Sequence, residues 1–197
     1  MNGIARPQEE EAALEALRER QGEGARYDSP AAPARQLLWA RRGAAYFARK
    51  LNELDDKDLE DAFLAPDFAR RLIVSRICYQ ARAFARIAEA AREGRTRERL
   101  GDPGQPLDSV TLGATLPAHA LRYLFSHSQA HLNVEWRDLP DAAWDRQVEA
   151  LDGRRMTPRQ SVGERAISIW RHVVYLGNGG SMRDWPPDLL AAFEAEA

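Results

Sequence analysis

The residues most able to do chemistry sit near the C-terminal end of the chain. Glu164, Ser168, His172 and Tyr175 fall three or four apart and share one helical face, with Ile167, Trp170 and Val174 on another. A histidine on such a stripe can act as acid or base, ligate a metal, or simply be hydrogen-bonded. A second candidate is Arg76, which lies with Leu72, Tyr79 and Ala83 on one face of an earlier helix. That spacing turns its guanidinium towards the interior of a bundle, where it needs an acid, a carbonyl or an anionic ligand. The competing reading is an arginine snorkelling past the edge of its stripe. Gln80 and Arg165 join the set as candidates for holding substrate, beside Ser168. A third constellation is His127, His131 and Glu135, at i, i+4 and i+8, where two imidazoles share a face and could reach one metal ion. Zinc needs three or four ligands, and His172 is the remaining candidate for a third. Cys78 follows Arg76 by two residues, a spacing at which side chains do not face one another, so it reads as packing.

Four long helical patterns position these residues. They cover about 34–54, 67–92, 117–138 and 158–176, with apolar residues near 3.6-residue spacing and stops at Gly94 and at Gly177, Gly179 and Gly180. Leu37, Leu38, Tyr46, Phe47, Leu51 and Leu54 are the expected core of the first. Residues 101–106 form a turn-rich loop, and a short helix is expected at 188–194. No alternating segment is long enough for a sheet. Residues 1–33 differ: 8–20 is a charged helical run, and 21–33 has linker composition, so an N-terminal helical arm precedes a bundle spanning 34–197. The expected fold is all-α, an antiparallel four-helix bundle.

Composition narrows the function. In 197 residues, 28 Lys and Arg against 30 Asp and Glu leave a formal charge of −2, too balanced for a general nucleic-acid binder. One cysteine excludes an internal disulfide and a multi-cysteine zinc site. No apolar run reaches the roughly 20 residues of a membrane helix, and no signal-peptide core opens the chain, so a cytoplasmic protein without membrane contact is expected. There is no P-loop, no GxGxxG after a strand and no GxSxG.

Several segments resemble one family in order and spacing. Leu54, Asp55, Asp58 and Leu59 lead to Leu64-Ala65-Pro66-Asp67-Phe68, where the family has leucine-proline-glycine-tryptophan. Leu139-Pro140-Asp141-Ala142-Ala143-Trp144 is similar to its segment after helix three, and Asp184-Trp185-Pro186-Pro187-Asp188-Leu189 to its last turn. Trp170-Arg171-His172-Val173-Val174-Tyr175-Leu176-Gly177 resembles its tryptophan-x-histidine-x-x-aspartate-leucine-glycine signature. The family is the N-terminal domain of mycothiol-dependent maleylpyruvate isomerases, within the DinB-like superfamily of four-helix bundles. Their small C-terminal α/β domain is expected to be absent.

The resemblance implies a divalent metal held by a histidine on helix two and by a glutamate and a histidine four apart on helix four, where a small thiol is activated. Those positions fall on Arg76, Ser168 and His172, and the signature aspartate on Tyr175, so a degenerate site without a metal or other cofactor is expected. The main functional expectation is then a metal-independent isomerase, cyclase or lyase, placed in specialised metabolism. Arg76 would hold or polarise an anionic substrate, and His172 would be general acid or base, with Tyr175 beside it. The alternatives are a metal- and thiol-dependent isomerase or transferase with a site rebuilt from His127, His131 and His172, and a non-catalytic binding bundle. A homodimer is compatible with each.

Overall fold

The computed structural model describes residues 27–60, 69–98 and 109–196. The helical run expected at 8–20, the loop at 101–106 and the Leu64–Phe68 segment lie outside the described residues. Four long helices form the frame: α1 (Ala34–Glu53), α3 (Arg70–Arg92), α5 (Ala118–Arg137) and α6 (Pro158–Tyr175). Three shorter ones, α2 (Asp56–Glu60), α4 (Ser109–Ala114) and α7 (Pro187–Glu196), fill the corners.

Contacts at the helix ends fix the directions. Arg159, at the start of α6, donates to the carbonyl of Ala31 (2.9 Å), and Asn178, beyond its end, to that of Lys50 (3.0 Å), so α6 runs alongside α1 in the same sense. Arg70 opens α3 against the carbonyl of Leu176 (3.0 Å), opposing α6. Arg122 of α5 reaches the carbonyl of Leu54 (2.7 Å), opposing α1, and Arg92 meets Glu135 (2.9 Å) where α3 and α5 end together. The bundle is therefore up-down-down-up: α1 and α6 are one parallel pair, α3 and α5 the other, and the two pairs oppose each other.

The expected boundaries hold closely, and at α3 and α6 a local signal sets them. Gly94, at φ +73°, takes the left-handed conformation directly after α3. Thr157 begins α6 with a reciprocal capping box, its side chain accepting from the Gln160 amide (3.2 Å) while the Gln160 side chain accepts from the Thr157 amide (2.8 Å). The last helix is longer than expected, Pro187–Glu196. Of the expected α1 core, Leu37, Phe47, Leu51 and Leu54 are buried, Tyr46 is half-buried, and Leu38 is 47% exposed, one position outside the stripe.

Two features escaped the periodicity. A two-residue hairpin pairs β1 (Val148–Glu149) with β2 (Arg155–Met156), and Arg97 bridges to Glu149. The buried Glu98 anchors it, pairing with Arg86 and accepting from the amide of Leu151 (3.2 Å). Helix α4 lies on the start of α3, where the buried Ser75 hydroxyl donates to the carbonyl of Val110 (2.6 Å). The segment leading into α1 is tied down: Asp28 pairs with Arg41 (2.5 Å), and Ser29 accepts from the Trp144 indole (2.8 Å).

Candidate functional site

Arg165 is the one buried cation among the described residues. It projects from α6 towards α3 and α5 and is 1% exposed. One guanidinium nitrogen donates to the Ile77 carbonyl and to Gln80 Oε1 (2.9 Å each), and another to Gln129 Oε1 (2.8 Å). Nε has no partner among the described residues, and no described carboxylate bonds to the group. Burial pushes its pKa down to about 10, so it stays protonated near neutrality. The neighbouring Cys78 thiol is buried and pushed up to about 12, mainly by desolvation and against the pull of Ser128 and Arg165, which leaves it unreactive.

One and two turns further along α6 stand Ser168 and His172. The imidazole Nδ1 lies 2.7 Å from the carbonyl oxygen of Ser168 and 3.4 Å from its hydroxyl. A carbonyl only accepts, so Nδ1 carries the proton and the Nε2 lone pair is left as an acceptor. The His172 pKa falls to about 4. Burial is the chief cause, and the charges of Arg165, Arg76 and Arg171 lower it further, against the Ser168 carbonyl. Tyr175 meets the imidazole edge-on, with ring centroids 5.5 Å apart.

Arg76 departs from expectation. It is exposed, and no hydrogen bond or ion pair joins it to the described residues. The buried arc of α3 is broad, running through Ile73, Val74, Ile77, Cys78, Ala81, Phe84, Ala85 and Ala88, because α4, α5 and α6 all pack on this helix. Arg76 lies roughly 100° around from Ile77, at the rim rather than the floor. Its charge still reaches His172. The polar seam between α3 and α6 thus brings together Gln80, Arg165, Ser168, His172 and Tyr175, with Arg76 at its edge.

His127 and His131 do not join His172. Gln129 points inward to Arg165, and residues two positions away lie about 200° around the helix, so both histidines are exposed on the outer face of α5. Among the described residues no three His, Cys, Asp or Glu side chains converge as a metal site. At the positions the resemblance assigns to ligands, only His172 is a donor of the right kind; Ser168 is engaged with it and Arg76 is a cation. This donor set does not fit a divalent ion.

Sequence reasoning put the interior cation at Arg76 and did not find Gln129. The signal for Arg165 was its place within the stripe Val162, Ala166, Ile169 and Val173, and for Gln129 its place beside Phe125, Ser128 and Leu132; all seven of these neighbours are buried. A depression of about 460 Å³ lies elsewhere, between α1 and α6, lined by Arg42, Tyr46, Arg49, Trp170 and Asp184 among others. There the Tyr46 hydroxyl donates to Asp184 (2.9 Å), and burial and that carboxylate raise its pKa, so the phenol stays protonated. It contains none of the polar seam.

The profile of the mycothiol maleylpyruvate isomerase N-terminal domain matches residues 40–174. The chain belongs to that family. The crystal structure of the mycothiol-dependent maleylpyruvate isomerase superposes with a TM-score of 0.74 at 28% identity, covering 83% of this chain and 68% of that one. A histidine-to-alanine variant of that isomerase matches with the same values. No curated protein matches. For this maleylpyruvate isomerase-like bundle, the all-α DinB-like fold is as expected, and among the described residues no helix is long and apolar enough to cross a membrane.

Proposed function

We propose that this chain is a thiol-dependent, isomerase-type enzyme that takes an anionic small molecule into the α3–α6 seam and relies on arginines where its relatives' chemistry uses a metal. The observation that carries the reading is the 28% identity to a mycothiol-dependent maleylpyruvate isomerase over 83% of this chain. The make-up of the seam supports the departure from a metal. A small thiol is the group this family implies, and the residues suit an anionic sulfur: Arg76 is an exposed cation at the rim, and Arg165 Nε is buried without a described partner. A bound thiol supplies a soft nucleophile whose reversible addition to an activated double bond frees that bond to rotate.

The chain's own residues attract, orient and move a proton. Arg76 draws an anion to the rim, and a guanidinium suits a carboxylate. Arg165 holds Gln80 by its carbonyl oxygen, leaving the Gln80 amide N–H groups for substrate. Ser168 fixes the tautomer in which His172 Nε2 can accept a proton. The surrounding positive charge returns that proton readily, since His172 resists staying protonated.

The test is maleylpyruvate, and a small panel of related cis-unsaturated acids, with and without mycothiol, in buffer containing EDTA or zinc. Thiol-dependent isomerisation that is indifferent to EDTA and falls at least about tenfold in His172→Ala is expected. Absence of thiol-dependent turnover on every substrate overturns the isomerase reading. Turnover abolished by EDTA and restored by zinc overturns the substitution of arginine for metal.

A further inference from the structure

The histidine pair of α5 is left unused by the seam, and its setting is specific. Every exposed residue of α5, namely His119, Tyr123, Ser126, His127, Ala130, His131 and Val134, lacks a formal charge at neutral pH, in a chain that is 29% charged. Tyr123 is 71% exposed and Val134 39%, so the strip is partly apolar as well. His127 and His131 stand one turn apart on this strip. Glu135, one further turn along, places Oε1 3.6 Å from His131 Nε2. Its other oxygen is fixed by Arg92 (2.9 Å). The anchored carboxylate stands within ion-pair range of the imidazole, and a small side-chain movement that bonds it to Nε2 would orient the ring and leave the opposite nitrogen, Nδ1, for a metal. His127 rests against Tyr123, with ring centroids 6.0 Å apart.

We propose that His127 and His131 are half of a zinc-class metal site that a second copy of this chain completes. Two imidazoles at i and i+4 converge on one ion but leave it half-coordinated, and zinc closes its shell with four ligands. His119 is two turns from His127, about 12 Å along the axis, too far to serve the same ion. Among the described residues no third His, Cys, Asp or Glu completes the set. A two-fold axis through the ion supplies the same pair again, and the uncharged strip lets two α5 helices approach without like-charge repulsion. The site lies on the opposite side of α5 from Gln129 and Arg165, independent of the catalytic reading.

Light scattering after size exclusion, with zinc content measured on the same fractions, tests this. Zinc should double the molar mass, at about half an equivalent per chain, and EDTA should restore the starting mass. His127→Ala and His131→Ala, both exposed and so harmless to folding, should each keep the starting mass at the same zinc concentration. Glu135→Gln should require several-fold more zinc. No change of mass overturns the proposal, and so does one zinc per chain without association. Doubling that survives both histidine variants overturns it equally.

Discussion

Helix α6 meets its two main neighbours through opposite chemistries. Towards α1 the seam is aromatic and tight: a Cβ on Gly43 would stand 2.5 Å from Ile169 Cγ2 and 2.7 Å from the Trp170 indole nitrogen, so only glycine admits that ring. The same nitrogen donates to the carbonyl of Trp39 (2.9 Å), and Trp170 lies 5.4 Å from Tyr46 and 6.5 Å from Trp185 between centroids. Towards α3 the seam is polar and holds a charge without a described carboxylate partner. Desolvating a guanidinium costs several kcal/mol, and three hydrogen bonds to a charged donor return about 1.5–3 kcal/mol each. The two nearly cancel, so Arg165 contributes little to stability. One side of α6 holds the fold together; the other carries a charge that stability does not explain and that the proposed function assigns to a ligand.

Substitutions can break that contrast, and the largest effect belongs to Arg165. Arg165→Met should lower turnover per folded molecule by about a hundredfold, some 2.7 kcal/mol, while thermal unfolding shifts stability by less than about 1.5 kcal/mol. A large loss of stability with unchanged specific activity would make both seams structural.

Acid titration comes next. The native His172 pKa of about 4 lies below its ordinary 6.5. Between those values the unfolded chain binds a proton that the folded one refuses. Stability should therefore fall as pH drops from 6.5 to 4, by at most about 3 kcal/mol, and level off below that. Denaturant unfolding across the range measures it, and His172→Gln should flatten that part of the profile.

Gly43→Ala should cost about 1–2 kcal/mol, because crowding against Ile169 and Trp170 outweighs the gain in helix propensity, with activity per folded molecule retained. Thr157→Ala, which removes the α6 cap and touches neither seam, should cost about 1 kcal/mol by chemical denaturation and leave turnover alone.

The same contrast explains what was legible beforehand. The frame was readable because long 3.6-residue stripes ending at Gly94 and Gly177 leave a chain few alternatives. So was the grouping of Ser168, His172 and Tyr175, which depends only on spacing within one helix. Arg76 was misplaced because spacing says which residues share a face, not which face a neighbouring helix will cover. On α3 the stripe Leu72, Arg76, Tyr79, Ala83 runs beside the buried one, and only the packing of α4, α5 and α6 distinguishes them. Gln129 was invisible for a related reason: a polar side chain on an apolar face acquires meaning only from the partner it meets across the bundle. The hairpin, with strands of two residues, is too short to have a period.

The pairing of α1 with α6 also sets the order of events as the chain leaves the ribosome. Trp39 and Trp170, which lock the seam, are 131 residues apart, and Ala31 waits 110 residues for Asp141. The side of α1 that faces α6 emerges well before its partner and has no permanent cover until α6 has been synthesised. Folding is therefore dominated at its close by long-range contacts, which slows it relative to a bundle built from sequential hairpins. Until α6 arrives, the nascent chain offers an amphipathic helix to solvent, the kind of segment that chaperones bind.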